Sequence, residues 1–545
     1  MRHRSTSVPE HDFPVDAPQH PVATLVVVCS GLFMLLLDVT IVAVALPDMQ
    51  RSLDADLGQL QWIVDAYTLP LAAVLLTAAV FGDRVGRKRL FLGGMALFTA
   101  SSLGCALAES ISVLTAMRGA QGLGAALLLG VALPLVSIAF PDPRNRARAI
   151  GAFGAVMGLA IASGPLIGGL LVSGAGWQWI FLVNLPIGAV ALAAGGFVIK
   201  ESRPSTPRRN DWVGTALATA TLLSAVIAII EGNGRGWTSA PILALFVSAA
   251  ALATVFVWWE LKSPHPMLDL RLLVRPQFAS LCVAGFLAFG TLTASANFVS
   301  LYFMNVLDLS ALDTGIRLLP MSVTAFVVAP VAAVFQPKAP PAAWLTGAMI
   351  AIATGCYLGA GVDSNDTWTH FALPFVLAGV GLGIVIPVTS QASIAMVGEA
   401  DSGMATGTVG AARQLGTVIG VAVLGSLFSS SIRRTATSDI HDALSAEAAP
   451  TPSPAVVESL LNALQSGAGV RITDGLPQSE FIGAVTTIAR DSADAGITAI
   501  FTASAIAALA GAAAMVILAL LQHRRRSPQR PRNASSPIAM RGPKR

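Results

Sequence analysis

Long apolar runs recur along the whole of this 545-residue chain. Because an α-helix rises about 1.5 Å per residue, a run of about 20 apolar residues is long enough to cross the hydrocarbon core of a bilayer. Charged residues make up only 12% of the chain, which is about half of their share in soluble proteins. Short alternating segments of the outer-membrane barrel type are absent from the sequence. The pattern therefore predicts an all-α integral membrane protein.

Fourteen membrane spans are predicted from these runs. The first run is far longer than the core of a signal peptide and lacks a small-residue cleavage site, so we interpret it as an uncleaved first helix. The predicted spans cover residues 22–46, 60–80, 90–107, 111–139, 147–173, 178–199, 212–230, 241–259, 276–304, 314–335, 341–360, 371–390, 404–430 and 497–521.

The positive charges set the predicted orientation. With the N-terminus inside, 25 of the 34 Lys and Arg residues lie in cytoplasmic segments and six lie outside. Cytoplasmic loops of membrane proteins carry the excess of positive charge, so both termini are expected in the cytoplasm. The abundance of Arg and Ala is typical of a GC-rich bacterial genome, and we therefore expect a multi-pass protein of a bacterial plasma membrane.

The two halves of the chain resemble each other. The segment Ala78–Phe81 recurs as Ala332–Phe335, and the Gly122–Gly124 pattern recurs as Gly381–Gly383. Four glycines of the fifth span recur at nearly the same offset in the thirteenth: Gly151, Gly154, Gly164 and Gly169 correspond to Gly407, Gly410, Gly420 and Gly425. The repeat predicts two related six-helix bundles around a central cavity, which is the plan of alternating-access secondary transporters.

The predicted domains follow from the spans and the repeat. A polar tail (1–21) precedes the N-terminal six-helix bundle (22–199), and two inserted helices with their linkers (200–275) separate it from the C-terminal six-helix bundle (276–521). A basic tail (522–545) ends the chain.

Two of these segments leave alternatives open. The extracytoplasmic segment 431–496 contains a Pro-rich stretch and a short amphipathic pattern at 456–465, and it is either a cap over the outer mouth or, as we favour, a solvated loop. The C-terminal tail carries eight cations. We expect it to lie near anionic lipid headgroups rather than to bind nucleic acid.

Ionisable side chains inside membrane spans are costly and are candidates for function. Asp38 lies in the first span, Asp65 in the second and Arg118 in the fourth, all at similar depth in the outer half of the bundle. Burial disfavours the charged form of a carboxyl group and a nearby Arg favours it, so such a carboxyl can carry protons. The alternatives are a structural ion pair for Asp38, an interfacial helix end for Asp65 and helix packing around Arg118.

The turn Gly82–Arg89 packs four cations and one anion between two spans. Asp83 can pair with Arg87 or meet the positively polarised N-terminus of another helix. The turn is therefore predicted to be a cytoplasmic gate that latches one conformation, and the alternative is that it only enforces topology. The gate residues are Asp83, Arg84, Gly86, Arg87 and Lys88.

The fifth span is unusually rich in glycine. Glycine lets a neighbouring helix approach closely, and a proline within a span allows a bend. A gate or a leak seal is predicted here, with small-residue packing as the alternative. The residues concerned are Gly158, Gly164, Pro165, Gly168 and Gly169.

Several chemistries find no support in the sequence. The four cysteines are far apart and show no metal spacing, no P-loop is present, and no nucleophile–base set is evident. We therefore expect no enzyme activity, no metal and no cofactor.

The motifs together resemble the major facilitator superfamily and, more narrowly, its fourteen-helix drug:proton antiporters, over about residues 35–521. The resemblance is carried by Leu37–Val42, by the turn 83–88, by Arg118 with Gln121-Gly122, and by the helix 5 glycines, and further by 177–188, 267–272 and 413–416. Two positions depart from the pattern, because Ala79 replaces the usual Gly and Gln178 the usual Arg.

This resemblance implies proton-driven export of amphipathic drugs or natural products, cationic or neutral, by alternating access. It implies proton transfer near Arg118 and partners limited to substrate, protons and lipid, in a monomer. The candidate cavity residues are Gln121, Asn184, Asn297, Arg413 and Gln414. Two other functions remain open, namely a proton-coupled importer of a small solute and a non-transporting sensor or scaffold.

Overall fold

The structure is a computed structural model that describes residues 20–55, 57–202, 211–264, 268, 270–362, 367–397, 402–446 and 479–526. The regular structure of these residues is entirely helical. The two tails before His20 and after Arg526 lie outside the described residues, as do the predicted short helix 456–465 and, from the 267–272 motif, Met267 and Asp269.

The described residues form sixteen α-helices, which we number in chain order. Their bounds are α1 Pro21–Leu53, α2 Leu57–Val85, α3 Arg87–Ala106, α4 Ile111–Ala139, α5 Pro143–Ala175, α6 Trp179–Leu182, α7 Asn184–Val198, α8 Trp212–Arg235, α9 Ala240–Lys262, α10 Leu270–Val274, α11 Pro276–Asn305, α12 Ala311–Phe335, α13 Pro341–Gly359, α14 Ala372–Ala395, α15 Ser402–Ala446 and α16 Ser479–Arg526.

The helices confirm the predicted class of membrane protein. Thirteen helical stretches of the described chain are long and apolar enough to cross a membrane, with α6 and α7 together forming one of them. The remaining predicted span is α5, a helix of 33 residues whose apolar end is Leu166–Ala175. The protein is therefore an all-helical membrane protein with about fourteen spans.

Helix ends follow local sequence signals. Ser110, Asp142 and Asp211 each accept a hydrogen bond from a backbone N–H three residues later, which caps α4, α5 and α8. Hydropathy located the last two spans but not their helix ends, because helix continues beyond the apolar stretch. Residues 431–446 and 479–496, expected in a loop, belong to α15 and α16.

The same packing pattern occurs in both halves of the protein. We call α1–α7 the first bundle, α8–α9 the inserted pair and α11–α16 the second bundle. In the first bundle α4 packs against α2 and α3, and α1 packs against α5. In the second bundle α14 packs against α12 and α13, and α11 packs against α15. The repeat in the sequence thus corresponds to a repeat in helix contacts.

The two bundles meet through exchanged partners. Helix α5 of the first bundle packs on α12 of the second, and α15 of the second packs on α2 of the first. The repeat pairs α2 with α12 and α5 with α15, so these two contacts are pseudosymmetric. The inserted pair packs through α8 against α2, where Thr77 and Thr219 hydroxyls lie 2.9 Å apart.

Glycine allows the close approach of these helices. A Cβ at Gly122 would lie 2.9 Å from the backbone Cα of Tyr67 on α2, and a Cβ at Gly124 would lie 2.7 Å from the backbone nitrogen of Phe98 on α3. In the second bundle a Cβ at Gly416 would lie 2.7 Å from the Cα of Phe286 on α11. Small residues at membrane helix interfaces permit such contact.

Candidate functional site

Asp38 is a carboxylate buried inside the first bundle. Its side chain is fully inaccessible to solvent, and so, to within 1%, is that of Arg118. Arg118 forms an ion pair with one carboxylate oxygen of Asp38. The other oxygen accepts hydrogen bonds from Gln121 at 2.9 Å and from Asn184 at 3.2 Å. Burying a charge is costly unless it is paired and hydrogen-bonded, and this carboxylate has three donors.

Arg118 connects three helices of the first bundle. Besides Asp38 on α1, its guanidinium donates to the carbonyl oxygen of Ile63 on α2 at 3.1 Å and to the amide oxygen of Gln121 at 2.8 Å. It also lies over the ring of Tyr67, 4.4 Å from the ring centre. Several contacts that do not involve Asp38 therefore also hold the Arg118 guanidinium in place.

Two further residues complete the cluster and escaped the sequence analysis. The Ser102 hydroxyl accepts from Gln121 and Asn184 at 3.2 and 3.0 Å and donates to the carbonyl of Phe181. The Tyr67 hydroxyl donates to the carbonyl oxygen of Leu35. A serine and a tyrosine within apolar spans are common, and only the fold shows that Ser102 binds the two amides that hold Asp38 and that Tyr67 contacts Arg118.

The predicted residues do not all converge on Asp38. Gln121 and Asn184, which were predicted as cavity residues, bind the Asp38 carboxylate in this conformation. Asp65 is half-buried on α2 and is outside this set of hydrogen bonds. Asn297 is exposed on α11.

The α5 glycines face two partners. Gly164 and Gly168 pack against α1, immediately after Asp38, where a Cβ at Gly164 would lie 3.1 Å from the backbone nitrogen of Ile41. Gly158 and Gly169 instead face α12 of the second bundle, with Ala325 and Leu312 as neighbours. The Pro165 ring is outside the described side chains, and α5 is a continuous helix through that residue. Helix α5 thus links the helix of Asp38 to the bundle interface.

The turn between α2 and α3 also reaches the second bundle. Arg87 binds Asp83 at 2.7–2.8 Å, and its guanidinium donates to the Ser402 hydroxyl at the start of α15 at 3.1 Å. The Asp83 carboxylate lies directly over Gly403, so that a Cβ there would be 2.6 Å from its Cγ. A carboxylate at a helix N-terminus is stabilised by the unpaired N–H groups and the helix dipole.

Gly86 allows a second contact of this turn. Its φ of +117° is a conformation that other residues rarely adopt, and Glu201 packs against its Cα. Glu201 accepts from the Lys88 backbone at 3.2 Å and lies 3.6 Å from Arg89, while the Lys88 ammonium donates to the carbonyl of Gly196. Arg84 is half-buried nearby. The turn is held against the end of α7 on one side and against α15 on the other.

A cavity lies between the bundles. It has a volume of about 50 Å³ and is lined by α2, α4 and α5 of the first bundle and by α11 and α15 of the second. Its polar lining comes from Thr406, Arg413 and Gln414 on α15, and its apolar lining includes Phe153, Met157 and Phe289. This volume holds a few water molecules, whereas drug-sized pockets measure roughly 300–1,000 Å³.

Comparison with known proteins agrees with this architecture. The profile described as Major Facilitator Superfamily matches residues 28–421. The crystal structure of the human organic anion transporter MFSD10 (TETRAN) superposes with a TM-score of 0.58 at 14% identity, covering 91% of this chain and 99% of that one. At this identity the likeness shows the fold alone.

Curated relatives are much more similar in sequence. The Multidrug resistance protein Stp of Mycobacterium tuberculosis is 39% identical over 415 residues, which cover 74% of this chain and 75% of Stp. The Tetracenomycin C resistance and export protein of Streptomyces glaucescens is 31% identical and aligns with 93% of this chain and 94% of its own length. The chain therefore belongs to the Major Facilitator Superfamily, as a membrane transporter of its drug-efflux group.

Proposed function

We propose that the protein is a proton-coupled antiporter that exports amphipathic organic molecules by alternating access. The face carrying the turn 82–89 is then cytoplasmic, both termini lie in the cytoplasm of a bacterial cell, and the protein acts as a monomer in the inner membrane. The observation that carries the proposal is the buried Asp38 carboxylate, which is paired with Arg118 and lies next to the α1–α5 contact.

The contacts of Asp38 give a route from proton to movement. The three N–H donors suit the ionised carboxylate. A proton on Asp38 removes the negative charge that holds α1 to Arg118, while Arg118 keeps its bonds to Ile63 and Gln121. The attachment of α1 to α4 then weakens without collapse of the rest of the cluster.

The movement has a path to the second bundle. Helix α1 packs on Gly164 and Gly168 of α5, and the Gly158 and Gly169 positions of the same helix pack on α12. Helix α5 lies between α1 and α12, so a shift of α1 is transmitted through α5 to the interface at which the two bundles move. On the side of the turn, the Asp83–Arg87–Ser402 contacts hold the bundles together. Their release opens the path toward the cytoplasm.

Export is favoured over import by the relatives. Proteins named for multidrug resistance, drug efflux and tetracenomycin C export align with most of this chain. The proposed substrates are accordingly amphipathic drugs or natural products.

The test uses purified protein in proteoliposomes with an imposed pH gradient and a fluorescent amphipathic dye. We expect Asp38→Asn to abolish dye accumulation and the accompanying proton movement, because Asn cannot exchange a proton. Asp48→Asn is the matched control, since Asp48 lies on the same helix and pairs with Arg51, whose side chain is 78% exposed. Undiminished pH-driven transport by Asp38→Asn would exclude the proposed coupling.

A further inference from the structure

Arg413 is a second cation of the membrane interior, half-buried rather than fully buried, and its surroundings differ from those of Arg118. It lies eleven residues after the start of α15 at Ser402, which places it about 16 Å along the helix and near the middle of a bilayer of about 30 Å. It lines the cavity between the bundles together with Gln414.

Arg413 has space around it but no counter-charge among the residues that the structure describes. Its aliphatic stem passes over Gly285 of α11, where a Cβ would lie 2.9 Å from the Arg413 Cγ. Its guanidinium lies 5.6 Å from the centre of the Phe289 ring. Within the part of the chain that the structure describes, Arg413 forms no ion pair. A cation at this depth is costly, and an anion that enters the cavity offsets that cost.

We propose that Arg413, with Gln414 and Phe289, is a binding subsite for an acidic oxygen group on an aromatic substrate, such as a carboxylate or an ionised phenol or enol. A guanidinium presents its N–H groups in a planar fork that matches two oxygens. Gln414 offers an additional amide donor, and Phe289, Phe153 and Met157 offer apolar surface for the attached ring.

This subsite rests on the proposed function and specifies its substrate. The cavity in the described conformation is too small for such a molecule, so binding requires the bundles to separate. An acidic substrate differs from the cationic or neutral substrates that the sequence predicts. In the described residues, the Asp38 carboxylate is paired with Arg118, and the charged side chain that lines the cavity, Arg413, is positive.

The experiment compares two probes, a rhodamine dye with a free benzoate and the methyl ester of the same dye. They differ only in whether the carboxylic acid is free or esterified. Binding to purified full-length protein is measured by fluorescence polarisation. We expect Arg413→Gln to weaken binding of the free acid by about tenfold or more and to leave the ester within about threefold. Gln414→Glu should also weaken the acid, because its carboxylate pairs with Arg413. Arg434→Gln, at an exposed position of the same helix, should change neither.

The outcomes separate the subsite from the transport mechanism. Equal loss of both probes, or no loss of the acid, in Arg413→Gln would overturn the subsite even if pH-driven transport depends on Asp38. Acid-selective loss that is also seen in an Asp38→Asn background would support the subsite independently of proton coupling.

Discussion

The two bundles share a plan of helix packing but differ in the surroundings of an arginine inside the membrane. In the first bundle Arg118 is matched by Asp38 and by two carbonyl or amide oxygens, so its charge is satisfied inside the protein. In the second bundle Arg413 lies against Gly285 and Phe289 and borders the cavity. The two bundles therefore share one helix arrangement. The first bundle pairs its arginine with a carboxylate, whereas the second bundle places its arginine at the cavity.

The largest effect is expected from removal of Arg118. Arg118→Gln leaves Asp38 buried without its ion-pair partner, and breaking a buried pair typically costs about 3–5 kcal/mol. Arg413→Gln removes a cation that forms no ion pair with the described part of the chain, so it should cost much less or stabilise the protein. Thermal unfolding of the purified variants in detergent measures the difference.

A double variant tests whether the loss comes from the unpaired carboxylate. Asp38→Asn combined with Arg118→Gln should recover much of the stability lost by Arg118→Gln alone, without recovery of transport. Arg51→Gln, an exposed arginine at the end of α1, serves as the control and should be near neutral. Similar losses for Arg118→Gln and Arg413→Gln would contradict the contrast between the bundles.

The next effect concerns the glycines that hold paired helices together. A Cβ at Gly164 meets the Thr40 side chain and the Ile41 backbone, whereas a Cβ at Gly420 meets the Gly290 backbone. Forced overpacking of this kind costs about 1–3 kcal/mol. Gly420→Ala should lower stability more, because backbone cannot rotate away as a side chain can. Gly164→Ala should lower pH-driven transport more, because it displaces the helix that carries Asp38.

The matched control for this pair is Gly174→Ala. Gly174 lies on α5 and has open space at its Cβ position, so its replacement should leave both stability and transport close to those of the parent protein. Equal losses of transport in Gly164→Ala and Gly420→Ala would show that the α1–α5 contact next to Asp38 is no more important for transport than the α11–α15 contact.

Much of this architecture could be predicted from the sequence, because hydropathy and charge act locally. Apolar runs identified the spans, and these runs placed Asp38 and Arg118 in the first and fourth helices, α1 and α4. The helix class and the membership of the superfamily were predicted correctly. The extent of α15 and α16 was not, since a helix that leaves the membrane loses its hydropathy signal without losing its hydrogen bonds.

Contacts between segments that are distant in the sequence could not be predicted from hydropathy and charge. Asn184 binds Asp38, and Ser102 binds Asn184, from helices that are separated by long stretches of chain. The motif 177–188 made Asn184 a candidate cavity residue without indicating this contact, and nothing in the local sequence of Ser102 separates it from other small polar residues of the spans. The role of Glu201 against Gly86 was missed for the same reason. The glycine positions were visible as a pattern, but only the fold shows which of them face α1 and which face α12.

The smallest effect is expected at the contact between the turn and α15, where the bundles again differ. The N-terminus of α5 is capped from within by Asp142, which accepts from the Asn145 backbone at 2.9 Å. The N-terminus of α15 instead receives Asp83 from the other bundle, held in place by Arg87. A charge at a helix N-terminus contributes about 1–2 kcal/mol when it is partly buried. Asp83→Asn should therefore weaken the contact between the bundles without unfolding either of them.

The readout is access to the cavity from the side of the turn. A cysteine at Thr406, which lines the cavity, should react several-fold faster with a membrane-impermeant maleimide in Asp83→Asn than in the parent protein, and initial transport rates should fall several-fold. The parent with its four native cysteines gives the background, since three of them are buried and one is half-buried. Arg89→Gln, whose side chain is 69% exposed and lies 3.6 Å from Glu201, should not change access. A contact that closes the cavity cannot be weakened without exposing the cavity to the maleimide. Unaltered labelling in Asp83→Asn would therefore mean that the turn sets the orientation of the chain but does not hold the bundles together.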